Sequence, residues 1–372
     1  MKKSGENPTM SLNSLRRNFL LAGLSTAAGV SALPAKRLSF PRDFGAHKDY
    51  QTEWWYITGH ATAEGRLFGF QLTFFRSRVN ATQGMASRLA AKQLIFAHAA
   101  VTDVQGKKLW HDQRIARSSG AAELDMASAS ESDTAIVLRD WSLQHVAGGY
   151  RAHIAASDFQ LELQFSERQP VLLQGQQGLS RKGPELSQAS YYYSQPQLGV
   201  DGVITLKGQP FKLDAGATHA AWLDHEWSEA LLHPDAAGWD WIGMNLFDGS
   251  ALTAFQLRDK RGAALWDGGS FRAGGTKVSE PPYIFNRGEV IFRPLRRWKS
   301  PLSQATYPVE WIVRTPADFY TVKAVVDPQE LDSRASTGAI YWEGLCELFD
   351  SQSRHVGRGY LEMTGYAGAL RL

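Results

Sequence analysis

The sequence predicts an all-β protein built from two tandem β-barrel or sandwich domains, and three observations carry that reading: length, aromatic content and the spacing of short strand-like segments. At 372 residues the chain exceeds what one modest core organises and suits two domains of roughly 150–200 residues each. Its 12 Trp, 12 Tyr and 18 Phe supply broad rigid faces that suit strands and the walls of apolar pockets. Short β-branched and aromatic runs separated by Gly, Asn and Asp recur along the chain, whereas helical periodicity is scarce.

The chain opens on an address rather than a fold element. Ser14-Leu15-Arg16-Arg17-Asn18-Phe19-Leu20-Leu21 sets paired arginines before an apolar run over 19–34, with small residues at Val30-Ser31-Ala32 and at the following Ala35. This resembles a twin-arginine signal, too short and too interrupted to span a bilayer. The expectation is a leader over 1–37, export by the twin-arginine route and a periplasmic or secreted protein, with an N-terminal domain over 38–228 and a C-terminal domain over 229–372.

Strand, turn, strand follows: Glu53-Trp54-Trp55-Tyr56-Ile57-Thr58 runs to Glu64-Gly65, then Leu67-Phe68-Gly69-Phe70-Gln71-Leu72-Thr73-Phe74-Phe75-Arg76. Glu-Gly stands where a tight hairpin needs positive φ. A comparable unit runs from Trp239-Asp240-Trp241 through Asp248-Gly249 to Phe255-Gln256-Leu257-Arg258. The repeated Phe-Gln-Leu triplet, 185 residues on, suggests two related halves. Further strands are expected at 94–101, 135–138, 150–155, 161–165, 202–206, 307–313, 319–325 and 339–341, a short helix at 85–91 and a polar loop at 118–133.

Composition excludes several functions. The formal charge of +3 becomes −2 once the basic first 37 residues are set aside, so no electrostatic footprint for nucleic acid exists. Cys346 is the sole cysteine, which rules out an internal disulfide and a cysteine-based metal site. No Gly-x-Ser-x-Gly elbow, Walker loop or dinucleotide fingerprint is present. His225-Glu226-Trp227-Ser228-Glu229 ends in Glu where a zinc protease needs its second His. No metal and no cofactor is expected.

The densest set of ionisable and aromatic side chains is Trp222-Leu223-Asp224-His225-Glu226-Trp227. On an extended strand Trp222, Asp224 and Glu226 share one face, and His225 and Trp227 the other. A carboxyl group facing an apolar lumen loses hydration, and its pKa rises toward neutrality, where it can donate a proton. Alternatively, Asp224 and Glu226 satisfy backbone donors or arginines at the seam between two barrels. Trp54 and Trp55 suit either a pocket wall or plain core, and Tyr56 stands beside them. Arg76 could pair with Glu53 or with Asp224. His98 suits a satisfied core position as well as a pocket. Tyr192, within Tyr191-Tyr192-Tyr193, either rims a pocket or lies on an edge strand.

Thr52-Glu53-Trp54-Trp55-Tyr56, Phe96-Ala97-His98-Ala99-Ala100, Ser190-Tyr191-Tyr192-Tyr193-Ser194, Leu223-Asp224-His225-Glu226-Trp227, Gly238-Trp239-Asp240-Trp241, Tyr341-Trp342-Glu343-Gly344 and 357–366 together resemble the carotenoid 1,2-hydratase family. Within it the chain looks like the exported branch, called AttH-like or predicted secreted hydrolases. The resemblance implies two lipocalin-like domains with the Asp-His strand near their junction. It further implies Asp224 as proton donor to an alkene and His225 as its positioning partner or the water-activating base. Trp222, Trp227, Trp54 and Trp55 would wall in the cation, with Trp239 and Trp241 completing the binding set. Those hydratases follow Asp-His with Asn, where this chain has Glu226. Two functions of different class follow: a hydratase or hydrolase acting on a large apolar or amphiphilic molecule, or a non-catalytic carrier of a hydrophobic ligand serving an ABC-type membrane transport system.

Overall fold

The computed structural model describes residues 33–368 apart from 122, 217 and 230–232; the paired arginines and the apolar run up to residue 32 lie outside the described residues. Among these the helices are three single 3₁₀ turns, and everything else regular is strand. A 14-stranded antiparallel sheet, nearly closed into a barrel, is built from Thr52–Ala63 to Ala220–Ser228. A 10-stranded sheet follows, from Ala236–Leu246 to His355–Met363. The architecture is the expected all-β, lipocalin-like one.

The Glu64-Gly65 turn has φ of 52° and 72°, the left-handed pair that a two-residue hairpin loop requires. The expected strand over 307–313 is split at Val309 into Thr306–Pro308 and Glu310–Arg314. The helix expected over 85–91 does not form. That segment is a loop, and Lys92 Nζ pins its start by donating to the carbonyls of Thr82, Gln83 and Met85 at 2.6–2.8 Å. The loop expected over 118–133 contains a short strand, Ala127–Ala129.

Ala220–Ser228 pairs with Thr52–Ala63 on one side and with Ala189–Leu206 on the other. It is therefore central, and so is the tyrosine run, which is not on an edge. Alternation then divides its side chains. Ala221, Leu223 and Trp227 join the packed interior of the first barrel with Trp55, Ile57, Tyr191 and Tyr193. Trp222 faces outward and joins Tyr56, Trp241, Phe255, Leu345 and Tyr360 in a cluster shared with the second sheet. The seam needs close approach: a Cβ on Gly69 would stand 2.7 Å from the Tyr360 hydroxyl and 3.0 Å from Leu345 Cβ. Polar ties cross it as well, with Thr102 Oγ1 donating to Gln329 Oε1 at 2.8 Å and Ser270 Oγ to Gln174 Oε1 at 2.9 Å.

The two Phe-Gln-Leu triplets do not play the same part. Phe70 and Leu72 fill the first barrel, whereas Phe255 and Leu257 face the seam. Gln256 instead donates to Asp240 at 2.7 Å. A shift of one residue reverses every side chain of a strand, so matching letters here carry opposite faces.

A buried ionic network sits inside the first barrel. Glu53 accepts from Arg76 Nε at 2.7 Å and from the His47 amide at 2.9 Å. The Arg76 guanidinium also donates to Gln93 and to the carbonyls of His47 and Tyr50 at 2.6–2.9 Å. Burial alone would raise the Glu53 pKa, but hydrogen bonds to His225 and His47 and the charge of Arg76 hold it well below the ordinary range. Removing one member of such a pair strands a buried charge. Arg76→Ala should therefore cost about 3–5 kcal/mol of stability, read as a lower urea midpoint. The double variant Glu53→Gln/Arg76→Met should recover most of the loss.

Candidate functional site

A cavity of about 160 Å³ lies at the seam, outside the filled interior of the first barrel. From the first sheet it is lined by Trp54, Tyr56, Phe75, His98, Tyr192, Asp224 and Glu226, with Lys182 at the side. The second sheet contributes Trp239, Trp241, Phe255, Tyr341, Glu343 and Glu362. The Trp-rich starts of both hairpins thus meet across one space. The sequence placed the ligand within a barrel lumen; the structure corrects this, because the first lumen is filled by core side chains.

Asp224 is 3% exposed and holds three side-chain hydrogen bonds. Ser194 Oγ donates to Oδ1 at 2.5 Å and Trp222 Nε1 to the same oxygen at 2.6 Å, while Tyr192 donates to Oδ2 at 2.6 Å. The donors are themselves oriented. Gln174 Nε2 donates to Ser194 Oγ at 2.9 Å, and Trp241 Nε1 to the Tyr192 hydroxyl at 3.3 Å. With a single donor, Oδ2 keeps a lone pair for a transferable proton.

Loss of hydration is the largest influence on Asp224, and it outweighs the three hydrogen bonds; nearby Glu226 adds repulsion, and the pKa is raised to about 7. Against an ordinary value of 3.8, ionisation is roughly 4 kcal/mol harder than in water. Glu226 is a different case. Lys182 Nζ stands 3.0 Å from its Oε1, and Ser190 Oγ donates to that oxygen at 2.5 Å. The Lys182 ammonium also lies over the Phe255 and Tyr192 rings at 4.4 and 4.7 Å. One acid of this face is paired with a cation, and Asp224 has none among the described residues.

Five residues named from the sequence do not line the cavity, four of them because they face the other way. His225, Trp227, Trp55 and Arg76 point into the first barrel, because neighbours along a strand face opposite ways. His225 Nε2 lies 2.9 Å from Glu53 Oε1, and its Nδ1 lies 3.0 Å from the Tyr193 hydroxyl. Its ring stacks on Trp55 at 4.5 Å. Burial pushes its pKa down to about 4 despite Glu53. His225 therefore supports the strand from behind and does not reach the Asp224 carboxyl. Trp227 stacks on His47 at 3.8 Å. Trp222 does not line the cavity but holds Asp224 and packs edge-on to Trp241 at 6.4 Å. His98 combines both of its expected readings. It lines the cavity, yet both ring nitrogens are engaged at 2.8 Å, by Tyr341 and Ser336. Burial holds it neutral, with its pKa pushed down to about 3.

His47, Glu53 and His225 bring ligand-type atoms within 4.8 Å of one another. Each ring nitrogen already has a partner, and Arg76 occupies Glu53. The three residues thus belong to one hydrogen-bonded network with Arg76.

The sequence reading missed Lys182, Ser194, Gln174, Glu343 and Glu362 as members of the site. The two glutamates had a local signal: each interrupts an apolar strand, Ile340–Phe349 and His355–Met363.

The AttH-like family model matches residues 31–366. A structure assigned as AttH from Nitrosomonas europaea is 44% identical, with a TM-score of 0.81, and the match covers 90% of this chain and 99% of that one. Kievitone hydratase from Nectria haematococca is 12% identical, with a TM-score of 0.65 over 92% of this chain and 95% of that one. CghA, also 12% identical, gives a TM-score of 0.51 over 84% and 88%. At such identities the last two show a shared fold. No curated protein sequence matches the chain. The family match over nearly the whole described length, together with the 44% identical relative, establishes that the chain belongs to the AttH-like family.

Proposed function

We propose that this protein is a hydratase-type acid catalyst, in which Asp224 protonates a carbon–carbon double bond of an apolar or amphiphilic substrate and water completes the addition. The observation that carries the reading is a carboxylic acid with no ion pair among the described residues, buried on the wall of an aromatic cavity, where loss of hydration raises its pKa to about 7. Such an acid is half protonated at neutral pH, where a general acid is most effective. The faces of Trp54, Trp239 and Trp241 suit a cation formed beside them. Kievitone hydratase, a hydratase by name, supports the reading through its shared fold.

The cavity sets the scale of the reacting part. About 160 Å³ is below the roughly 300–1,000 Å³ of pockets for drug-sized ligands and close to the space that admits one aromatic ring. The reacting end of a substrate fits, while a longer tail extends through the mouth. The paired-arginine segment supports export, so we place the substrate outside the cytoplasm as part of the same proposal. A pure carrier explains the site less well, because unneutralised buried acids cost stability and contribute nothing to holding an apolar ligand.

α-Methylstyrene is a suitable probe, being ring-sized and giving a tertiary cation on protonation. Wild type in H₂¹⁸O should form labelled 2-phenylpropan-2-ol, and Asp224→Asn should lower the rate about 10²–10⁴-fold with its near-UV circular dichroism unchanged. Formation no faster than in buffer would contradict the proposal. Because the acid form is required, the rate should fall tenfold per pH unit above about 7.

Stability should follow the same group. The folded pKa of Asp224 lies above its unfolded value, so its contribution is fully present below about pH 4 and is lost as pH rises through about 7. Asp224→Asn should remove that part of the decline, measured as the urea midpoint between pH 4 and 9.

A further inference from the structure

The second sheet brings two more carboxyl groups to the cavity, and their geometry is unusual. Glu343 and Glu362 are direct cross-strand partners in the pairing of Ile340–Phe349 with His355–Met363, and both line the cavity. Directly opposed residues on one sheet face hold their Cβ atoms about 4.5–5.5 Å apart, and like charges there repel. Three other buried acids face a cation, Glu53 with Arg76, Asp240 with Arg258 and Glu226 with Lys182, whereas Asp224 does not. Neither Glu343 nor Glu362 makes an ion pair among the described residues. Around Glu343 stand Tyr56, Tyr341, Tyr360 and Gln71, and Glu362 faces Trp239, Asp224 and Glu226.

A second observation points to a ligand. Glu343, 4% exposed, has an oxygen without a hydrogen-bond partner, and the hydroxyl of Tyr56, 6% exposed, has none either. Both line the cavity. Buried polar atoms are rarely left unpaired; the Tyr56 hydroxyl faces the Glu343 carboxyl as its polar neighbour, and at the cavity wall this donor and acceptor can admit one water molecule or one substrate hydroxyl between them. Burial, then repulsion from Glu362, pushes the Glu343 pKa well up, and burial pushes Glu362 up to about 7. Two such carboxyls keep one proton between them.

We propose that Glu343 and Glu362 form a proton-sharing carboxyl pair that, with the Tyr56 hydroxyl, holds the attacking water and takes its proton, on the second sheet's wall of the cavity that Asp224 lines from the first. The inference rests on the hydratase reading and assigns its second half. The Asp224 carboxyl gives its proton to one alkene carbon, forming a C–H bond as the π bond is used. The water oxygen bonds to the other carbon, and the water's proton goes to the singly ionised pair. Transfer of that proton to Asp224 through solvent restores both groups, so the net change is one alkene and one water becoming one alcohol. The same cluster would favour substrates whose reacting end is apolar but flanked by a hydroxyl.

Two measurements on the full chain separate this proposal from the one it rests on. Glutamate labelled with ¹³C at the carboxyl carbon, followed by NMR from pH 4 to 9, should show two coupled steps in wild type. In Glu362→Gln the remaining Glu343 step should move down, since its repelling neighbour is neutral. Two ordinary, independent titrations in wild type would overturn the pair whatever Asp224 does. With α-methylstyrene in D₂O containing ¹⁸O, Glu343→Gln and Glu362→Gln should lose ¹⁸O incorporation by about 10²-fold or more while still exchanging deuterium into the alkene. Asp224→Asn should lose both signals. Wild-type ¹⁸O incorporation in both glutamate variants would overturn the inference and leave Asp224 untouched; deuterium exchange retained in Asp224→Asn would instead remove the Asp224 role.

Discussion

The structure depends on how one strand divides its side chains. Along Ala220–Ser228 every second residue faces the first barrel and the rest face the seam with the second sheet. The inward face meets a network in which Glu53 is neutralised by Arg76 and held by His47 and His225. The outward face carries Asp224 into a space walled by aromatic rings, where the lining cation Lys182 is paired with Glu226. The same loss of hydration acts on both carboxyls. Hydrogen bonds to His225 and His47, with the Arg76 guanidinium at 2.7 Å, override it at Glu53, and three neutral donors do not override it at Asp224. One acid is locked as an anion, and the other is left poised to give up a proton.

That contrast explains why the buried histidine beside Asp224 in sequence is not its partner in space. His225 is held neutral between Glu53 and Tyr193 on the opposite face of the strand. Orientation of Asp224 comes from the strand next door and from the opposite sheet. Tyr192 and Ser194 lie on Ala189–Leu206, and behind them Trp241 and Gln174 set the hydroxyls. Gln174 also accepts from Ser270, so the acid's position is tied to both sheets.

Much of the fold was legible in the sequence because its signals are local. The Glu64-Gly65 turn, the strands at 135–138 and 150–155 and the Trp-rich hairpin starts follow from residue type and spacing alone. The facing of Asp224 and Glu226 away from His225 also followed, since a period of two needs no tertiary information. The remainder was long-range. Nothing local shows that Ala220–Ser228 closes against Thr52–Ala63, so Arg76, Trp55 and Trp227 could not be told from cavity residues. Glu343 and Glu362 become neighbours only through pairing of the last two strands, and Lys182 reaches Glu226 from a loop 44 residues earlier. The Phe-Gln-Leu repeat misled for the same reason: identical triplets sit one residue out of phase with their faces.

Acid chemistry at this cavity requires Asp224 to be neutral at a pH where exposed aspartates are ionised. Its most direct test is carboxyl titration by difference infrared spectroscopy, wild type against Asp224→Asn, in the folded protein without ligand. A protonated-carboxyl band that belongs to Asp224 should fade with a midpoint near pH 7. A band already absent at pH 5 would show an ordinary carboxylate at that position and contradict the acid role.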